Sequence, residues 1–476
     1  MEKLLRESRI IPLIFLVSGL VLLAYPMLGG LLPGDLADTR FIHYILEHSR
    51  LWLHQTELHT SLWNMPFYYD YQNTLAFSDM MLGAMGLYIP LREFFNPHTA
   101  LKIWFLLVCI LNYISMYYLL KKCFKFNALS SAVGAFLFAF SLPRSSQIEH
   151  FQLFTQFFMI ISLCTFFSID KNKSRKINNL FFFLTSLFFT VQLYTCFYFG
   201  WFMVYGGIIF LITALIFKET REKVFDFFRN FYPEIVIYSS FTIILLLPLI
   251  EHYLAVGAQF PYNMPDFRVL KLKYLISSKS IIDSIIYSVP EVHGANMMGI
   301  GFITTIAVLT GLFGNKTYRK FLLLFSVVVL AFFMYEELNR LLFYYFPGAN
   351  VIRAGSRVIF LLLPIYSYCL AYFLDKIKIN AVLIIITVLI LAEQITPLYY
   401  NWSAEEHNKR INSYTVPENC RVIYKDVSGA ESFDEAIYMN VDMMWLGIKE
   451  KVYTVNGYSG YMPRKKPELA KEECRI

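Results

Sequence analysis

The sequence predicts an all-α, polytopic membrane protein, and three observations carry that prediction. Of its 476 residues, 57% are hydrophobic and 18% aromatic, led by 46 Phe and 33 Tyr. Charged residues make up 16%, against about 25% in soluble domains. The apolar residues fall in long unbroken runs, whereas an outer-membrane barrel alternates apolar and polar positions. These features exclude a soluble globular domain, a disordered chain, a coiled coil and a small disulfide scaffold. The net charge of +7, spread over loops between apolar runs, reads as an orientation signal and not as a nucleic-acid footprint.

A membrane span needs about 20 mainly apolar residues. Eleven stretches qualify: 10–29, 99–120, 128–142, 151–169, 178–196, 198–217, 234–254, 298–313, 321–337, 355–374 and 380–397. The first lacks a small-residue cleavage site and exceeds a signal-peptide core, so it reads as an anchor. The third is short. The run 177–217 is too long for one helix and divides near Tyr198, Phe199 and Gly200.

The short loops alternate in charge. One set carries Lys3, Arg6, Arg9, then Lys121, Lys122, Lys125, then Lys171, Lys173, Arg175, Lys176. It continues with Lys218, Arg221, Lys223, Arg229, then Lys316, Arg319, Lys320, and finally Lys376 and Lys378. The opposite loops are longer and poorer in cations. The positive-inside rule places the basic set, and with it the N-terminus, in the cytoplasm. Eleven spans then put the C-terminus outside.

Three extracytoplasmic pieces are large: a first loop (30–98), a second (255–297) and a tail (398–476), the last set apart from a transmembrane domain at 1–397. The apolar stretch 75–92 contains Asp79 and Arg92 and reads as an interfacial or re-entrant helix, because a twelfth span would invert every later loop. Cys109, Cys123, Cys164, Cys196 and Cys369 lie in or beside spans, where Cys acts as a small apolar residue. Cys420 and Cys474 share the tail and can pair there. No CxxC, P-loop, GxGxxG or HExxH motif occurs, so nucleotide hydrolysis and zinc-protease chemistry lack support. Asn401-Trp402-Ser403 fits a glycosylation sequon, relevant only in a eukaryote.

Ionisable groups near the spans collect at the outer ends: Asp79, Arg144, Glu149, His150, Glu251, His252, Glu336, Glu337, Arg353, Arg357 and Glu393. Singly, each can snorkel to the interface. Their one-sidedness predicts a polar cavity open to the outside, where a transporter would place polar groups near the midplane. The sharpest local feature is Gly34-Asp35-Leu36-Ala37-Asp38-Thr39-Arg40-Phe41. Asp35 can be a helix N-cap and Asp38 a first-turn acid favoured by the dipole. Alternatively, a carboxylate there acts as general base toward a hydroxyl. His43, His48, His54 and His59 follow without metal-site spacing.

Gly34-Asp35-x-x-Asp38 after the first span resembles the first periplasmic loop of the GT-C membrane glycosyltransferases. The segment 68–79, with Leu82-Gly83, is similar to a bacterial branch of that superfamily. So are 138–144 with His150-Phe151-Gln152-Leu153, the segment 347–357, and Val455-Asn456-Gly457-Tyr458-Ser459-Gly460-Tyr461-Met462-Pro463. The resemblance spans nearly the whole chain in order. It departs at Gln147-Ile148-Glu149-His150, where relatives often have a small residue before His, and in its short tail.

The resemblance implies a core of about eleven helices in a bacterial inner membrane and a catalytic first outer loop. It implies a polyprenyl-phosphate-linked sugar as donor and an extracytoplasmic glycan, lipid or protein as acceptor, among membrane lipids and without nucleic acid. The family's essential acid maps onto Asp35 or Asp38. The expected chemistry is a single inverting displacement, with Asp35 as base and Asp38 orienting it, binding sugar or holding a divalent cation (Mg or Mn). Arg353 and Arg357, four apart on one helix face, would meet the leaving phosphate, with Arg144 third. Asp79, Glu149 and His150 would line the cavity. Tyr194, Tyr198 and Tyr205 would line it too or form an aromatic belt. Arg268, Lys271, Lys273 and Lys279 would mark an amphipathic surface helix or lid. A transporter or flippase of lipid-linked sugars, and a catalytically silent assembly protein on the same fold, are the alternatives.

Overall fold

The computed structural model describes residues 8, 10–260, 269–292, 294–396, 400–463 and 473–476. Lys3, Arg6, Arg9, Arg268 and the 397–398 boundary between the expected domains lie outside the described residues. The described residues are mostly helical. Among them, six helices are long and apolar enough to cross a membrane: Ile10–Gly29, Pro97–Cys123, Arg175–Thr195, Phe197–Ile216, Lys218–Gln259 and Gly355–Lys376. This is a helical membrane protein.

The remaining runs form shorter helices. Ala128–Phe140 and Phe302–Gly314 have 13 residues each, Phe157–Phe166 has 10 and Asn380–Glu393 has 14. At 1.5 Å per residue these fall well short of a bilayer core of about 30 Å. The fourth run starts late because 151–154 forms a 3-10 turn ahead of the helix. The ninth bends by 87° between Arg319–Met334 and Glu336–Tyr345. Glu336 and Glu337 therefore open an amphipathic helix and do not close a span. Lys218–Gln259 is broken at Phe231, where φ is −129°, two residues before Pro233, whose ring removes a backbone donor.

Ala128–Phe140 is buried at every position. Ile10–Ala24, Pro97–Tyr118 and Ile359–Lys376 pack around it. Its Ala and Ser positions permit this close approach, as in membrane interiors. At the basic end, Asn127 is anchored to Asp375 at 2.7 Å and Arg175 to Glu234 at 2.7 Å. Thr74–Phe77 and Leu82–Phe94 form a 3-10 turn and a helix over the expected re-entrant stretch.

The tail is stitched to the first loop. Leu31–Pro33 pairs antiparallel with Asn401–Ser403. Val422–Tyr424 lies parallel between Tyr453–Thr454 and Glu473–Arg475, and a Cys420–Cys474 disulfide closes that sheet. Phe433–Glu450 starts at a Ser432 cap that accepts from Glu435 N, followed by Asp434 and Glu435 in the first turn, the arrangement a helix dipole favours. It packs on Asp38–Leu53. The joint is an ion pair with no exposed surface, Arg40 Nη2 to Asp442 Oδ1 at 2.7 Å. The other Asp442 oxygen takes Arg410 at 2.8 Å, and Arg410 also binds Glu435. Arg40 Nε donates to His407 Nδ1 at 2.9 Å, and Trp445 Nε1 donates to Arg40 O at 3.2 Å.

Asp442→Ala would leave the buried Arg40 guanidinium without its ion-pair partner and the half-buried Arg410 with Glu435 alone. A loss of about 3–5 kcal/mol is expected, measured as thermal or denaturant unfolding in detergent. Arg40→Met combined with Asp442→Leu should lose much less than the two single changes summed.

Candidate functional site

The site begins at the turn into Asp38–Leu53. Gly34 has φ +103°, and a Cβ there would lie 1.9 Å from Thr39 Oγ1; only glycine fits both constraints. Its N–H donates to Tyr400 O at 3.0 Å, tying the turn to the tail. Asp35 and Thr39 bond reciprocally. Asp35 N donates to Thr39 Oγ1 at 3.0 Å, and Asp35 Oδ1 accepts from Thr39 N at 2.9 Å. Thr39 Oγ1 in turn donates to Glu149 O at 3.0 Å. Asp35 is not the N-cap, a position that Ala37 holds; it binds Thr39 N from the turn ahead of the helix.

Of the two acids in this turn, Asp38 is the one that reaches open space. It opens its helix, where the dipole favours negative charge, and lines a cavity of about 990 Å³. Tyr458 OH donates to Asp38 Oδ1 at 3.0 Å, and His150 Nε2 lies 3.3 Å from Oδ2. Burial and the nearby Asp38 carboxylate push the Tyr458 phenol well up, so it stays a donor.

Arg353 and Arg357 line the same cavity. They do not share a helix face: the helix starts at Ile359, Gly355–Val358 is a 3-10 turn, and Arg353 precedes it. Tyr198 organises both. Its hydroxyl accepts from Arg353 N at 3.1 Å, and the Arg357 guanidinium sits 4.5 Å over its ring, a cation–π contact. Arg353 Nη1 also donates to Gly460 O. A Cβ at Gly460 would lie 2.8 Å from Arg353 Nη2 and 2.9 Å from Phe77 O. Arg357 is 8% exposed, and its Nε has no hydrogen-bond partner among the described residues. Phe77, Phe260 and Tyr461 supply an apolar wall, the last two with ring centroids 4.4 Å apart.

The other expected site residues divide. Asp79 lines the cavity and accepts from Phe197 N at 2.6 Å, capping Phe197–Ile216. Burial pushes its pKa up, and Arg357 and Arg353 draw it back. Arg144 does not reach the cavity. It is fully buried, donates to Phe138 O, Leu153 O and Gln156 Oε1, and lies over the Phe138 and Phe360 rings. Each of its three nitrogens donates to protein and the residue is absent from the cavity wall, so the structure does not place it to meet a phosphate there. Asp35 and Glu149 sit behind Asp38, outside the cavity lining. Burial first, then Asp38, pushes the Asp35 carboxyl up to about 7, against the pull of Thr39 N–H. Glu149 is pushed up to about 7 by the same two causes, with Lys279 opposing.

Of the three tyrosines, Tyr198 alone lines the cavity; Tyr194 and Tyr205 donate to Leu245 O and Val329 O within the helix packing. Glu393 caps Phe302–Gly314 by accepting from Ile303 N and Thr304 N. Among the described residues no three His, Cys, Asp or Glu side chains are grouped to hold a metal ion. Both Asp38 oxygens already face Tyr458 and His150. No step below runs through the Mg or Mn ion that the resemblance implies. Tyr458, Gln152 and Ser459 line the cavity without an expected role. Tyr458 lies 420 residues from Asp38, and only its place in the 455–463 motif pointed to it.

Asp35 holds a proton in the folded state between about pH 4 and 7 that the unfolded chain releases. Its contribution to stability is full below about pH 4 and lost as pH rises through 7. Asp35→Asn keeps the acceptor for Thr39 N. It should flatten the melting-temperature profile between pH 4 and 7 and leave stability at pH 8 no lower than wild type; an unchanged slope would refute the assignment. In comparisons with known proteins, the chain matches no family model and no curated protein.

Proposed function

We propose that this protein is a glycosyltransferase of the GT-C type that moves a sugar from a polyprenyl-phosphate donor to an extracytoplasmic acceptor. One observation carries the reading: a single cavity holds a carboxylate braced by Tyr458 and His150, and two arginines organised on Tyr198. A base beside a phosphate-binding pair is what displacement of a phosphate from a sugar requires. The apolar wall of Phe77, Phe260 and Tyr461 suits a lipid carrier.

In this reading the acceptor hydroxyl oxygen attacks the anomeric carbon, and the bond from that carbon to the phosphate oxygen breaks. The hydroxyl proton passes to Asp38, and the polyprenyl phosphate leaves with the electron pair. Arg353 and Arg357 meet its growing charge, Arg's planar fork suiting phosphate oxygens. Asp38 is preferred to Asp35 as base because Asp35 is bound into the turn ahead of the helix. Eleven crossings are proposed, the shorter helices passing beside the cavity. The basic loops then lie in the cytoplasm of a bacterial inner membrane and the tail outside. The Cys420–Cys474 disulfide suits such an oxidising compartment.

The test is turnover of radiolabelled polyprenyl-phosphate sugars by purified protein in nanodiscs. Asp38→Asn should lower transfer roughly 100- to 10,000-fold, with folding intact by thermal melt. Arg357→Gln should weaken donor use about tenfold or more. No turnover across the panel, with unchanged function of Asp38→Asn and Asp35→Asn in cells, would overturn the proposal. Label crossing sealed vesicles without a new glycosidic bond would instead identify a flippase.

A further inference from the structure

Buried polar atoms are nearly always hydrogen-bonded, so an unpaired one on a cavity wall marks a place that a ligand completes. Gln152 is 6% exposed and Ser459 4% exposed, and both line the cavity. Gln152 Oε1 and Ser459 Oγ have no hydrogen-bond partner among the described residues.

Their neighbours fix where this subsite lies. Gln152 follows His150 by two residues, and Ser459 directly follows Tyr458. His150 and Tyr458 are the two side chains that hold Asp38. The arginines lie beyond Gly460, whose carbonyl holds Arg353. The one cavity thus brings together Asp38, neutral hydrogen-bonding groups, and a cationic pair with Asp79 in its field.

We infer that Gln152 and Ser459 form a hydroxyl-recognising subsite that binds the sugar ring of the donor beside Asp38 and sets which sugar is accepted. The assignment rests on the glycosyltransferase reading. An amide oxygen accepts from a hydroxyl, and a serine hydroxyl both donates and accepts. Neither carries charge, so neither suits the phosphate, which the arginines take. A ligand that fills the subsite must present several hydroxyls next to a phosphate, as a glycosyl phosphate does.

The role separates from a structural one by the sign of its effects. Removing a buried polar atom that has no partner relieves a desolvation cost in the empty protein. Gln152→Met and Ser459→Ala should leave the melting temperature of ligand-free protein in nanodiscs unchanged or raised. Each should bind a short-chain polyprenyl-phosphate monosaccharide roughly tenfold more weakly. Binding of the same polyprenyl phosphate without sugar should not change. Ser130→Ala removes a buried, unpaired hydroxyl outside the cavity and should alter neither affinity.

A lowered melting temperature with equal loss for both ligands would make the two residues structural and overturn the inference. So would unchanged affinity for the sugar-bearing probe. If wild-type protein binds the two probes equally, the phosphate site stands and the hydroxyl subsite falls. If it binds neither, the donor reading fails and takes the subsite with it.

Discussion

The pair Arg40–Asp442 is the constraint on which the site's geometry depends. Arg40 lies two residues beyond Asp38 on one helix, and Asp442 lies on the tail helix that leads to Tyr458. An ion pair without solvent is unforgiving: removing one partner strands the other in low dielectric, so the two helices have one stable docking. Arg410 and His407 fill the positions around it, with His407 offering a neutral ring nitrogen to Arg40 Nε. Burial and Arg40 hold His407 uncharged. Once the helices are docked, the 453–460 segment can run only past Asp38, and Tyr458 meets its carboxylate.

Electrostatics divides the site into two parts that ordinary attraction would collapse together. Asp35, Asp38 and Glu149 crowd on one side, and Arg353 and Arg357 stand on the other. Among the described residues no salt bridge joins them, and each set has partners of its own. Thr39, Tyr458 and His150 hold the acids; Tyr198 and Gly460 O hold the arginines. Burial first, and the neighbouring Asp38 second, push Asp35 and Glu149 up to about 7; of these three acids, Asp38 lines the cavity. The arginines keep their charge available, most clearly at Arg357, whose Nε meets no protein acceptor among the described residues.

Much of this was legible in the sequence, and the misses have one cause. Long apolar runs predict helices because period and length are local properties. The one-ended distribution of acids and arginines predicted the cavity, and Asp38, Asp79, His150, Arg353 and Arg357 all line it. Local reasoning failed where the backbone leaves the helix. Four-residue spacing put Arg353 and Arg357 on one face, but the chain there runs extended and then 3-10. Arg144 looked like its neighbours in type and position, and nothing local distinguishes a guanidinium bound to carbonyls from one facing a ligand. Arg40, His407 and Asp442 were invisible because their partners lie hundreds of residues apart.

The short helices explain why Arg144 had to be spent on structure. The chain between Ala128–Phe140 and Phe157–Phe166 is almost wholly buried yet broken into one turn of α-helix at Leu142–Ser145, a turn, and a 3-10 turn at Phe151–Phe154. Irregular backbone at membrane depth is tolerated only where its polar groups are satisfied by protein or by a wet cavity. Here side chains from the surrounding helices do it. Arg144 takes Phe138 O and Leu153 O, Asn112 takes Phe154 O, Gln192 takes Thr155 O, and Gln394 accepts from Leu142 N. Gln156 reaches across to Phe360 O at 2.8 Å, bonding the segment to the helix that follows Arg357. The buried polar residues that make apolar runs look interrupted are thus the scaffold that lets His150 and Gln152 stand at the cavity wall. A fully spanning helix through 141–156 would satisfy the same backbone groups internally, and it would leave no irregular segment to place His150 against Asp38.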